Sequence, residues 1–119
     1  MAEDFAAQIA NALEEYSLSV DNAMKRVLPE VAKEAANQLK GTSPVRKGLY
    51  ASGWRQKTTA SNLTIESIVY NAKAPGLAHL LEKGHAKRGG GRVSAREHIK
   101  PVEEWVKTET ARRLEEALR

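Results

Sequence analysis

Through the first third of the chain, apolar residues recur at spacings of three or four: Phe5, Ile9, Leu13, Tyr16, Val20, Met24, Val27, Val31, Ala35 and Leu39. That period puts them on one stripe of an α-helix, and nothing strand-like shares it. Pro29 interrupts the segment but not the register. Proline removes a backbone hydrogen bond and crowds the preceding turn. The sequence therefore predicts one long helix kinked near Pro29, with a break into two helices near Leu28 as the alternative. Gly41 is expected to cap its end and Pro44 to prevent a restart. The stripe is long for a helix that only closes a small core. Part of it is expected to face another subunit; packing on a sheet alone is the other reading.

After a Ser-, Pro- and Gly-rich loop over 42–53, the period changes to two. Trp54–Thr59 and Leu63–Tyr70 read as antiparallel strands, with Leu63, Ile65, Ser67 and Val69 on the more apolar face of the second. Ala60-Ser61-Asn62 forms the hairpin connection, Asn62 tolerating a left-handed conformation. Pro75-Gly76 starts a short helix with Leu77, Leu80 and Leu81, and Val93 suits a short strand. Pro101 opens a last helix whose stripe is Val102, Trp105, Val106, Leu114 and Leu118. The fold class is α+β: a long kinked N-terminal helix, a small antiparallel sheet with a β-hairpin, a short helix and a C-terminal helix. One domain over 1–119 is expected, with a helical arm at 1–40 and an α+β body at 41–119. Trp54, Ile65, Val69, Leu80, Leu81, Val102, Trp105 and Val106 are the expected core. The two tryptophans read as core anchors rather than base-stacking platforms.

Charge is distributed in blocks. Residues 1–40 carry seven acidic and four basic side chains, residues 41–100 three acidic and eleven basic, and residues 101–119 five and four. A basic middle suits DNA phosphates or an acidic protein surface. The start, Met1-Ala2-Glu3-Asp4, has no basic, apolar leader character, and no apolar run approaches the ~20 residues of a membrane span. The chain has no cysteine, which removes disulfides, thiolate chemistry and Cys-based zinc sites.

The strongest local signal is a glycine-rich basic loop, Lys87, Arg88, Gly89, Gly90, Gly91 and Arg92. Three adjacent glycines cost backbone entropy on ordering and bury no side chain, so the loop points to contact with another surface. It lacks the GxxxxGK[ST] pattern of a phosphate cradle. His79 and Glu82, three apart on a helix, with His85 and His98, are the only set fit for a metal or for acid–base work. No HExxH accompanies them, and hydrogen-bonding structural histidines are the competing reading. No serine sits in a nucleophile elbow.

Pro44-Val45-Arg46-Lys47-Gly48, Tyr50-Ala51-Ser52-Gly53-Trp54, the block from His79 to Val93 and His98-Ile99-Lys100-Pro101 follow one another in fixed order. Together, over roughly Gly41 to Val106, they resemble small neck or tail-completion proteins of long-tailed bacteriophages and prophages. The first forty residues match in helical character only, and Lys47 stands where Thr or Ser is common. The resemblance implies a structural minor virion protein of the neck, joining heads to tails or completing tails as part of a ring, with no catalysis and no cofactor. It implies a cyclic homo-oligomer and other neck, head-closure and tail-terminator proteins as partners. It also implies assembly in the bacterial host cytoplasm and no membrane or small-molecule substrate. The loop Lys87–Arg92 would face a neighbouring subunit or the DNA channel. A DNA-binding accessory protein using the basic middle is the alternative.

Overall fold

The computed structural model describes residues 2–45, 48–61, 64–87 and 89–119. Arg46 and Lys47 of the proline turn, Asn62 and Leu63 of the hairpin, and Arg88 of the basic loop lie outside the described residues.

Helix α1 spans Ala2–Thr42 without interruption. The apolar stripe keeps its register across Pro29, and that packing outweighs the hydrogen bond the proline forfeits. Gly41 does not cap the helix, as the sequence suggested, but lies within it. The end comes two residues later, where both the amide and the hydroxyl of Ser43 donate to the carbonyl of Leu39. At 1.5 Å per residue such a helix is about 60 Å long. It dominates a molecule of 79 × 23 × 23 Å. The radius of gyration is 20.5 Å, against about 13–14 Å for a compact chain of this length.

The excess comes from the N-terminal half of α1. Beyond Ala23 the stripe is buried: Val27, Val31, Ala35 and Leu39 are at most 4% exposed. Before it, Phe5, Ile9, Leu13 and Tyr16 are 47–64% exposed. Fully burying a side chain such as Val27 or Val31 contributes about 1.5–3 kcal/mol, so the second half of α1 is the main wall of the core.

Against that wall packs the hairpin β1 (Trp54–Ala60) and β2 (Ile65–Asn71), antiparallel from Trp54↔Asn71 to Ala60↔Ile65. A 3₁₀ turn, Ala51–Gly53, precedes it inside the segment read as loop. Ile65, Ser67 and Val69 face inward as the alternation predicts, while Ile68 and Tyr70 are exposed. Helix α2 (Pro75–Lys83) and a two-residue pair, β3 (His85–Ala86) with β4 (Arg92–Val93), follow. Helix α3 (Lys100–Ala117) returns along α1.

Of the expected core, Trp54 and Val102 are buried, and Ile65, Val69, Leu81, Trp105 and Val106 are partly buried. Leu80 is 38% exposed and is the correction. On a helix of nine residues only one narrow face meets the body, and Ala78 and Leu81 occupy it. Far along α3, Arg113 joins Glu34 of α1 and Glu109, and its guanidinium lies 6.0 Å from the Trp105 ring centre. Hydrogen bonds from Arg112 and Arg113 pull the Glu109 carboxyl down to about 2.

Candidate functional site

The motif blocks converge on a buried polar knot. Ser43, Asn71 and His98 are its buried polar residues, and Tyr50 and Trp54 its aromatic walls. Trp54 donates its indole N–H to the Ser43 hydroxyl at 2.8 Å. Asn71 donates from Nδ2 to the carbonyl of Tyr50 at 2.7 Å, while its Oδ1 accepts from the amides of Lys73 and Ala74. Gly53 lies so close to that amide that a Cβ there would overlap Asn71 Oδ1. This is why Tyr50, Gly53 and Trp54 occur together. They form the floor on which the far end of the hairpin is tied down.

His98 and Glu82 complete the knot. The carboxylate of Glu82, on α2, accepts from the amides of His98 at 2.8 Å, Ile99 at 3.0 Å and Lys100 at 3.0 Å. These are orphan donors at the start of α3, and a negative charge there also suits the helix dipole. Burial pushes the Glu82 carboxyl up, but the three amides and His98 outweigh it and hold it below the usual carboxylate value. His98 Nδ1 lies 2.8 Å from the carbonyl of Arg96 and 3.2 Å from Glu82 Oε1. Its Nε2 is 2.6 Å from the Tyr50 hydroxyl. Burial first, then the Glu82 charge, pushes the Tyr50 phenol up to about 12.

The set His79, Glu82, His85 and His98 is therefore not assembled as ligands. His79 is exposed, Glu82 is turned onto the α3 amides, and His98 onto Tyr50. Among the described residues no three His, Asp or Glu side chains are grouped to hold a metal ion. The reading of His98 as a structural histidine fits its partners. The sequence showed Tyr50, Asn71 and Glu82 only as separate residues; the sole hint of the knot was the fixed order of the motif blocks.

The basic loop is the tip of the β3–β4 hairpin. Gly89, Gly90 and Gly91 all take positive φ, at 89°, 118° and 78°. Residues other than glycine rarely adopt such a backbone, and here it lets the Lys87 amide donate to the carbonyl of Gly91 at 2.9 Å. Lys87 and Arg92 are exposed. Arg92 also donates to the carbonyl of Lys83 at 3.0 Å, which ties the loop to the end of α2.

Among the described residues, the exposed stripe of α1 and the basic hairpin tip both stand without cover. Among the described residues no helix is long and apolar enough to cross a membrane. No curated protein and no solved structure matches the chain. A family model does, over residues 7–84, described as "Bacteriophage HK97-gp10, putative tail-component". The match takes in nearly all of α1, the hairpin β1–β2 and α2, and ends at Gly84, before the glycine loop. By that match the chain belongs to the HK97-gp10-like family of bacteriophage tail components.

Proposed function

We propose that this tail component acts at the neck of the virion, in head–tail joining or tail completion, as one subunit of a ring. The observation that carries the reading is the α1 stripe, apolar along its whole length yet buried only in its second half. Large apolar residues at Phe5, Ile9, Leu13 and Tyr16 on a protruding helix are costly in water unless a partner covers them. A small protein on a symmetric tail meets identical neighbours, which makes a cyclic assembly the natural state. The partners would be copies of itself and other neck, head-closure and tail-terminator proteins. The hairpin tip, Lys87 to Arg92, would face a neighbouring subunit or the DNA passing through the channel, reading no sequence.

The test is genetic and visual. Deleting the gene should leave filled heads and separate tails in lysates, as seen by electron microscopy, and the wild-type gene supplied in trans should restore joined particles. Neutralising Lys87, Arg88 and Arg92 together should leave the subunit folded, since exposed charges such as those of Lys87 and Arg92 are individually worth at most ~1 kcal/mol. The same variant should reduce joining or let DNA leak. A deletion strain that builds infectious particles at normal yield would refute the role. Salt-sensitive, tight binding of the isolated protein to duplex DNA would favour the DNA-binding accessory reading instead.

A further inference from the structure

Resting on the ring reading above, the structure assigns the uncovered stripe a specific occupant: we propose that the α1 arm of one protomer docks into an apolar groove on the body of a second copy. The groove, about 480 Å³, opens between α1, β2, α2 and α3. Its walls are mostly apolar, with Val69, Tyr70, Ala78, Ile99 and Val106 around a floor that includes buried Val102, and Asn71 and Glu103 are the polar members of the lining. That volume lies within the range of clefts that enclose apolar ligand groups, and it is large enough for a few apolar side chains.

No arm can fill its own groove. Ala35 and Leu39, near the end of α1, line the groove, and the arm belongs to the same unbroken helix. At 1.5 Å per residue Leu13 is held about 33 Å from Ala35, and Phe5 about 45 Å. The donor surface and the receiving surface therefore sit at opposite ends of one rod. Each copy can give an arm and receive another. Such a head-to-tail contact closes into a ring when its rotation permits.

Charge argues for a second copy as the occupant. Ahead of Lys25 the chain carries Glu3, Asp4, Glu14, Glu15 and Asp21, and no Lys or Arg. Beside the groove, the outer face of the β1–β2 hairpin sets exposed Tyr70 and Ile68 opposite Arg55 and Lys57. Exposed Lys73 follows two residues beyond the end of β2, its amine donating to the Ser52 hydroxyl at 3.1 Å. An apolar stripe flanked only by acids meets an apolar face where Arg55, Lys57 and Lys73 outnumber Glu66 and Glu103. This complementarity fixes orientation and suppresses arm-to-arm pairing, which would bring like charges together.

The chain has no cysteine, so single cysteines report contacts cleanly. Leu13→Cys and Tyr70→Cys place thiols at positions 64% and 42% exposed. The purified variants, mixed and treated with a short flexible bismaleimide, should give the Leu13–Tyr70 heteroadduct as the main product. Either variant alone should give little. Leu13→Glu in the unlabelled protein should lower the mass measured by light scattering to that of a monomer. A dominant Leu13–Leu13 adduct would overturn the proposal in favour of arm pairing and leave the ring reading standing. A wild-type protein that is monomeric at all concentrations, with no adduct, would overturn it as well. The head–tail joining test, read in lysates, would then decide the virion role independently.

Discussion

The hydroxyl of Tyr50 and Nε2 of His98 stand 2.6 Å apart, their rings edge to face with centroids 5.5 Å apart. Forty-eight residues separate them in the chain. Through this one contact the turn before the first strand is joined to the start of α3. Glu82 gathers the same helix start from the other side. A buried polar contact of this kind specifies a unique arrangement, because breaking it leaves a polar atom without water or partner.

Tyr50→Phe keeps the ring and removes the hydroxyl, stranding His98 Nε2 in a site only 3% exposed. The expected cost is about 1–3 kcal/mol. Glu82→Gln keeps the shape and loses the charge that gathers three amides, for about 1.5–3 kcal/mol. Urea melts with unchanged slopes and lower midpoints are the expected outcome. Midpoints equal to wild type would show that water replaces the knot freely.

Stability should fall at both pH extremes for separate reasons. Glu82 titrates below its ordinary 4.5 in the folded protein, so its contribution is present above about that pH and is lost as pH falls through the lower folded value. Tyr50 is raised from 10 to about 12, so its contribution is complete below pH 10 and is lost between 10 and about 12. Thermal melts against pH check this, with Glu82→Gln making the acid limb shallower, the remainder belonging to Glu34 and Glu109, and Tyr50→Phe flattening the alkaline one.

Pro29 lies in the interior of an uninterrupted helix. Proline there is about 3 kcal/mol less favourable than alanine, less whatever packing its half-buried ring supplies. Pro29→Ala should raise stability by about 1–3 kcal/mol. A lowered denaturation midpoint would show that the ring's contacts outweigh the missing hydrogen bond.

Two glycines should respond in opposite directions to the same substitution. A Cβ on Gly53 would overlap Asn71 Oδ1 and lie 3.0 Å from Lys73 Cβ, so Gly53→Ala should destabilise by about 1–3 kcal/mol. Gly41 has no neighbouring atom within 4 Å and sits in α1, so Gly41→Ala should stabilise by up to about 1 kcal/mol. Differential scanning calorimetry of the pair checks both signs.

The sequence by itself determined the elements whose pattern is periodic and local. The three-and-four spacing from Phe5 to Leu39 pointed to α1 across Pro29, because a stripe that stays in register favours one helix over two. The alternation of Ile65, Ser67 and Val69 likewise fixed which face of β2 turns inward. Cap positions were less legible. Gly41 is compatible with a cap, but the helix runs past it to Ser43, whose hydroxyl bonds back to Leu39 and accepts from the Trp54 indole. Tertiary structure alone decided which half of the stripe is covered, since periodicity states that a face is apolar and never what lies against it. It also decided that Glu82 serves α3 rather than His79. A carboxylate takes the most favourable donors in reach, and the three amides of His98, Ile99 and Lys100 come within reach only when the chain, sixteen to eighteen residues on, folds back.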